Sequence, residues 1–103
     1  MFIHQVYFWL KNPDSKEDYN RLLQGLESLR QIEPKILLHI GIPAGTSREV
    51  IDGSYSLSEL FLFETPEDQD AYQVHPIHQQ FVKDCSHLWE KVLVYDSVNV
   101  SAT

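Results

Sequence analysis

Residues 2–10, FIHQVYFWL, form an aromatic and aliphatic run that predicts the first strand of a sheet. Alternate residues of a strand point to opposite faces, so one face carries His4, Val6, Phe8 and Leu10. The opposite face is also rich in large apolar residues, and neither face is polar enough to lie in solvent. Both faces of this strand are therefore expected to be covered.

The rest of the chain alternates between helix and strand signals. Predicted helices begin where a capping hydroxyl or a proline precedes an apolar repeat of helical spacing, and predicted strands are short runs rich in β-branched residues. After the first strand we predict a helix from Ser15 to just before Pro34, followed by two strands, over residues 35–42 and 55–64, that are joined as a long hairpin. Two further helices are predicted to start at Thr65 and at Pro76, and the second of them reaches about Glu90. The last predicted element is a strand over residues 92–95.

This order, βαββαβ, is the split βαβ pattern of the ferredoxin-like fold. The expected class is α+β, with a four-stranded antiparallel sheet and the helices on one face. Residues 1–103 fit one domain, since a chain of this length supports a single core. The face without helices would leave a larger apolar patch than a monomer usually exposes, so we expect a homodimer.

Composition narrows the possible partners and location. The net charge of -7 repels nucleic acid and anionic lipid, so neither nucleic acid nor a membrane is an expected partner. The apolar start is too short to span a bilayer and has no cationic segment before it. A single cysteine, Cys85, fits a reducing compartment, and we expect a cytoplasmic protein.

A tyrosine and two histidines surround a helix break forced by Pro76. In the first turn of a helix, the positive end of the dipole lowers the pKa of His78, which favours the neutral imidazole that a general base requires. Tyr72 can donate a hydrogen bond to polarise a carbonyl. In the alternative interpretation, His75 caps the helix while His78 and Tyr72 satisfy each other in the core.

No metal or cofactor is expected from the sequence. A zinc site at His75 and His78 lacks a further ligand with metal spacing nearby. The chain has no glycine-rich phosphate loop, no Gly-x-Ser-x-Gly elbow and no redox cysteine pair.

The sequence resembles the stress-responsive dimeric α/β barrel family nearly from end to end. The resemblance is carried by His4 and the strand that follows it, the helix ending at Pro34, Ala71-Tyr72 with His75-Pro76-Ile77-His78 and Phe81, and Trp89-Glu90-Lys91 leading into Val94-Tyr95-Asp96. It implies a homodimer whose two sheets close into one barrel, with His4, Val6, Phe8 and Leu10 facing the helices and Tyr7 and Trp9 lying between the sheets. It also implies a pocket between sheet and helices for a small, largely hydrophobic molecule, with no cofactor.

Site residues follow from the same resemblance. A cofactor-independent polyketide cyclase of this family has a catalytic tyrosine and histidine at positions matching Tyr72 and His78. The resemblance therefore implies Tyr72 and His78 as catalytic residues, and His4, His75 and Trp89 as substrate-binding residues.

The function remains open at this point. Two polar pocket positions of that cyclase correspond to Leu26 and Leu57 here, which leaves fewer partners for a polyhydroxylated substrate. One hypothesis is proton transfer of the cyclase or lyase kind, with a cofactor-free monooxygenase-like enzyme as a variant. The other is a noncatalytic stress-responsive homodimer. A cavity reaching Tyr72 and His78 would favour an enzyme, and side chains filling that space would favour the noncatalytic protein.

Overall fold

One antiparallel sheet forms the base of the structure, a computed structural model that describes residues 1–101. The two central strands pair with each other, and each also pairs with one edge strand, in the order β2-β3-β1-β4. The strands are β1 (Phe2–Leu10), β2 (Leu37–Gly41), β3 (Leu57–Phe63) and β4 (Trp89–Val98). The predicted hairpin of the second and third strands is confirmed.

Three helices cover one face of this sheet, and each begins at a side-chain cap. Ser15, Thr65 and His75 accept the backbone N–H of the residue two or three positions later. None of the helices within residues 1–101 is long and apolar enough to cross a membrane. The helices are α1 (Lys16–Ser28), α2 (Pro66–Val74) and α3 (Pro76–Cys85), and short 3-10 turns at Leu29–Gln31 and Ser86–Leu88 follow α1 and α3.

The predicted order βαββαβ and the α+β class are confirmed, but the end of the last helix is not. We expected that helix to reach about Glu90, whereas β4 already begins at Trp89. The reason is pairing with β1: Leu10 lies opposite Trp89, and the Lys11 N–H donates to the Leu88 carbonyl at 2.9 Å. These ladder contacts replace the helical hydrogen bonds that periodicity alone had predicted.

The predicted face assignment of β1 is also confirmed. His4, Val6, Phe8 and Leu10 are buried on the side of the helices. The core that they enter is built from apolar residues of β2, β3, all three helices, both 3-10 turns and the residue after the first turn: Leu22, Leu26, Leu29, Ile32, Leu38, Leu57, Phe61, Phe63, Tyr72, Phe81, Cys85 and Leu88. The opposite face, which holds Tyr7 and Trp9, carries no helix and remains partly exposed.

Gly25 lets α1 and α3 pack closely. A Cβ atom at this position would lie 2.5 Å from Cys85 Sγ and 2.9 Å from Phe81 Cδ1, both of them buried in α3. Such distances are below ordinary van der Waals contact, and neighbours in a close-packed core have little room to move.

Overpacking usually costs about 1–3 kcal/mol, and alanine regains roughly 1 kcal/mol of helix propensity relative to glycine. We therefore expect Gly25→Ala to lower the free energy of unfolding by up to about 2 kcal/mol. Urea denaturation would measure the difference, with Asn20→Ala at an exposed position of α1 as the control. A Gly25→Ala variant as stable as that control would show that the helices separate freely.

Candidate functional site

Four polar side chains lie buried together beneath the helices. They are His4 on β1, Glu59 on β3, and Gln69 and Tyr72 on α2, each at most 5% exposed. We refer to these four residues as the buried polar cluster. Buried polar groups are costly unless they are paired, so their grouping inside an apolar core marks this region as the candidate site.

Strand register brings the cluster together. Val6 of β1 lies opposite Glu59 of β3, so His4 and Glu59 are diagonal neighbours on the helix-covered face. On the other side of β1, His4 lies opposite Asp96 of β4. Because β4 is an edge strand, the Asp96 side chain remains 44% exposed and marks where the cluster meets solvent.

Hydrogen bonds and one slightly longer polar contact connect these groups in series. The Tyr72 hydroxyl donates to Glu59 Oε1 at 3.0 Å. His4 Nδ1 lies 2.6 Å from Asp96 Oδ1, and its Nε2 lies 3.6 Å from Glu59 Oε1. The Gln69 amide is 3.4 Å from His4 Nδ1. His4 therefore stands between an exposed carboxylate and a buried one.

Burial controls the proton equilibria of the cluster. It raises the pKa of Glu59 from 4.5 to about 7, against the smaller, opposing effect of the hydrogen bond from Tyr72. Burial and the neighbouring Glu59 charge raise the pKa of Tyr72. Tyr72 is thus held as a neutral hydrogen-bond donor, whereas Glu59 can change protonation near neutral pH.

His78 stands at the edge of the cluster, half-buried in the first turn of α3. Its ring centroid is 4.5 Å from that of Tyr72, and its Nδ1 lies 3.2 Å from the Gln73 carbonyl oxygen. The pKa of His78 is lowered, as the sequence suggested, but chiefly by burial. The Gln73 carbonyl opposes this shift, and the nearby His4 and His75 add to it.

The other two predicted site residues lie in different surroundings. His75 Nδ1 accepts the Ile77 N–H at 3.1 Å and caps α3, which is the arrangement that the alternative interpretation described. The Trp89 ring packs 5.0 Å from Phe8 and 5.8 Å from Phe81. Within residues 1–101, neither His75 nor Trp89 hydrogen-bonds to the buried polar cluster.

Sequence reasoning missed Glu59, Gln69 and Asp96. A signal for Glu59 was present, because strict alternation in LSELFLF places it on the same face as Leu57, Phe61 and Phe63. A single acid among the apolar residues of one strand face indicates either a functional group or a strand that was assigned wrongly. Gln69 and Asp96 had no comparable signal, since both belong to segments with many polar residues.

The space around Tyr72 is filled by side chains. Its ring contacts Phe61 and Phe63, with centroids 4.5 and 5.6 Å away. One cavity of about 590 Å³ lies between α1 and α3, one of about 300 Å³ lies on the open sheet face, and one of about 280 Å³ lies in the loop before β3. None of these three is lined by Tyr72 or His78. Among residues 1–101, no three His, Cys, Asp or Glu side chains are grouped to hold a metal ion.

Together, the fold and the site define an α+β domain of the ferredoxin-like class, with a titratable cluster buried between its sheet and helices. More specifically, the chain belongs to the stress responsive A/B barrel domain family, whose model matches residues 2–99.

Solved structures of several proteins are similar to this one. At3g17210 from Arabidopsis thaliana is 27% identical, with a TM-score of 0.77 over 100% of this chain and 99% of that chain. A dimeric ferredoxin-like protein of unknown function from Thermobifida fusca is 15% identical, with a TM-score of 0.77 over 95% and 90%. The hydroxynitrile lyase from Passiflora edulis is 18% identical, with a TM-score of 0.78 over 99% and 96%. The last two share the fold only. No curated protein matches the sequence significantly.

We expect Glu59→Gln to remove a pH-dependent loss of stability. The pKa of Glu59 is about 7 in the folded chain, against the usual 4.5, so the folded state holds this proton more tightly than the unfolded state does. The stabilisation that results is lost as the pH rises through the folded pKa. Relative to Glu59→Gln, the wild type should lose up to about 3 kcal/mol of unfolding free energy across this interval. Urea denaturation at several pH values would measure it.

The lowered pKa of His78 acts in the opposite sense, because it removes stability as pH falls, but it is present in both proteins and cancels in the comparison. Glu90→Gln, at an exposed position, is the matched control and should follow the wild type. Parallel curves for wild type and Glu59→Gln would contradict the raised pKa.

Proposed function

We propose that this chain acts as a homodimer that binds a small, largely hydrophobic molecule beside Tyr72 and His78 and exchanges a proton with it, without a cofactor. The observation that carries the proposal is the position of His78, half-buried and in ring contact with a tyrosine of the buried polar cluster. The shifted pKa values of Glu59 and His78, both of which contact Tyr72, support a functional site at this position.

His78 is suited to accept a proton. A carbonyl oxygen only accepts hydrogen bonds, so the contact with Gln73 requires the His78 proton to lie on Nδ1. Nε2 is then the unprotonated nitrogen. Because burial lowers the pKa of His78, the neutral base is the form that prevails at neutral pH.

Tyr72 and His4 are proposed to stabilise negative charge that develops on the bound molecule. The raised pKa of Tyr72 preserves its hydroxyl as a donor, and the His4 ring meets the Tyr72 ring edge-on at 5.5 Å. The surrounding Phe61, Phe63 and Phe81 favour an apolar ligand body. A hydroxynitrile lyase with the same fold supports a lyase-like reaction.

His75 and Trp89 are proposed to take part as outer contacts of the bound molecule. His75 fixes the start of α3 and therefore the direction of the turn that carries His78. Trp89 reaches the same region through Phe81, whose ring lies 6.4 Å from His78.

A noncatalytic homodimer is the second candidate, and the packing around Tyr72 favours it, because side chains fill the space where an enzyme was expected to have a cavity. Tyr72 is 1% exposed and packed between aromatic rings, so a ligand that touches its hydroxyl must first displace side chains. On this candidate, the buried polar cluster specifies packing, and the open sheet face is the functional surface.

Dimerisation is proposed from that open face. Tyr7 and Trp9 lie on it beside Leu93 and Tyr95, and no helix covers them. A partner sheet would bury these rings and remove the apolar surface from water. The dimeric ferredoxin-like protein from Thermobifida fusca, which has the same fold, supports this arrangement.

We expect His78→Ala to abolish ligand binding with little loss of stability. The Gln73 carbonyl that it leaves belongs to an exposed residue, so water can replace the lost hydrogen bond. Native mass spectrometry of proteins purified in parallel should find a bound small molecule on the wild type and on the exposed control His87→Ala, but not on His78→Ala.

Two results would contradict this prediction. One is a wild-type protein without added mass, or a His78→Ala variant that keeps it. The other is a stability loss of about 1–3 kcal/mol with binding retained, which is the cost of orphaning a buried hydrogen-bond partner and would make His78 structural.

Light scattering should give twice the 12.0 kDa mass of the chain at micromolar concentration. Tyr95→Asp should shift the mass toward 12.0 kDa, because a charge placed on the apolar face must be desolvated when the sheets meet. Val82→Asp, an exposed apolar position on the helix layer, is the control and should remain dimeric. A wild type that scatters as one chain would refute the dimer.

A further inference from the structure

Glu59 is the one acidic side chain of the buried polar cluster, and its hydrogen bonding is incomplete. Oε1 accepts the Tyr72 hydroxyl, whereas Oε2 is buried and has no partner among the described residues. The buried Gln69 Oε1 also lacks a partner there. An unsatisfied buried acceptor costs free energy, so packing alone gives no reason for an acid at this position.

The contact with Glu59 limits what Tyr72 can do. A phenol has one proton to donate, and in this structure that proton is directed at Glu59 Oε1. While Glu59 is a carboxylate, it competes with any ligand for the Tyr72 proton. When Glu59 is protonated, its own O–H can donate to the Tyr72 oxygen, and the Tyr72 hydroxyl can turn toward the His78 side.

A path for protons connects Glu59 with solvent. Asp96 is partly exposed and lies 2.6 Å from His4 Nδ1, a hydrogen-bond distance at which a protonated Nδ1 donates to the carboxylate. His4 Nε2 faces Glu59 Oε1 at 3.6 Å, slightly longer than a hydrogen bond. A few tenths of an ångström of side-chain movement closes this gap.

We propose that Glu59 is a positioning residue whose protonation sets the direction of the Tyr72 hydroxyl, with His4 and Asp96 as the proton path between Glu59 and water. The proposal rests on the proposed function in one respect, namely that Tyr72 is the donor facing the bound molecule. Tyr72 then polarises the molecule only in the protonated form of Glu59.

The proton steps balance along this path. The Glu59 O–H bond breaks and a His4 Nε2–H bond forms, which leaves a carboxylate beside an imidazolium. The imidazolium Nδ1–H bond then breaks, the proton passes to Asp96 Oδ1, and Asp96 releases it to water. The reverse steps reload Glu59, so one proton enters or leaves and no other reactant is needed.

Every element packed around Glu59 contributes to its electrostatic environment. Tyr72 from α2 donates to it, and His4 from β1 faces it directly. His78 from α3 and Asp96 from β4 lie one residue further away, beside Tyr72 and His4 respectively. Burial raises the pKa of Glu59 to about 7, which puts the two forms of Glu59 within reach of ordinary cellular pH.

Nuclear magnetic resonance tests the proposal without a ligand. Protein labelled with ¹³C at tyrosine Cζ and glutamate Cδ would be titrated from about pH 5 to about pH 9, a range that spans the ionisation of a carboxyl raised by burial. We expect the Tyr72 and Glu59 signals to move together with one midpoint. Tyr72→Phe assigns the tyrosine signal.

Two variants separate a switch from a purely structural contact. In Glu59→Gln the Tyr72 signal should no longer move with pH, whereas in the exposed control Glu90→Gln it should move as in the wild type. In Asp96→Asn the exchange between the two forms should slow and broaden both signals near their midpoint, whereas Asp14→Asn, at an exposed loop position, should not broaden them.

A Tyr72 signal that stays constant in the wild type, or still moves in Glu59→Gln, would overturn the role of Glu59. Equal line widths in Asp96→Asn and Asp14→Asn would overturn the proton path. These outcomes are independent of the proposed function: a coupled Tyr72 and Glu59 titration in a protein that binds no small molecule would support the switch and reject the binding site.

Discussion

Two central strands, β1 and β3, direct every second residue toward the helices, so a side chain on that face is separated from water by the helix layer and by the edge strands β2 and β4. Apolar residues fill most of these positions, which is why the helices pack there. His4 and Glu59 occupy two of them. The same alternation that builds the core therefore also fixes where the polar groups are buried and which groups they meet.

This arrangement makes stability and chemistry depend on the same atoms. An ionised Glu59 carboxylate is disfavoured in the core because it loses its hydration. One hydrogen bond from Tyr72 and the nearby Nε2 of His4 compensate only part of this cost. The raised pKa of Glu59 is the consequence, and it supplies the titratable group that an apolar side chain would not. Such local conflict with packing is typical of functional positions.

Much of the fold could be predicted from the sequence, because its signals are local. The bounds of β1 and the separation of its two faces follow from composition and alternation, whereas the resemblance implied which face meets the helices. The starts of α2 and α3 follow from a capping residue and a proline. The predicted start of β4 was wrong because the observed start depends on pairing with β1, which lies far away in the chain. Strand register has no local signal, so the His4–Asp96 contact, which joins residues 92 positions apart, was out of reach.

The candidate site shows the same division between local signals, which can be read from the sequence, and contacts between distant residues, which cannot. Tyr72 and His78 were predicted as neighbours from the helix break, and their rings are indeed 4.5 Å apart. Glu59 was missed although its strand pattern indicated it, because a pattern shows that a residue faces the core but not what it meets there.

Access to Tyr72 follows from this packing. Phe61 and Phe63 contact the Tyr72 ring from β3, and the His4 ring meets it edge-on from β1. His78 is the half-buried neighbour, and it stands just after the break between α2 and α3. His78 and the partly exposed Asp96 are therefore two places where the surroundings of Tyr72 meet solvent. The break at Pro76 begins α3 and so fixes the position of the proposed base beside the proposed donor.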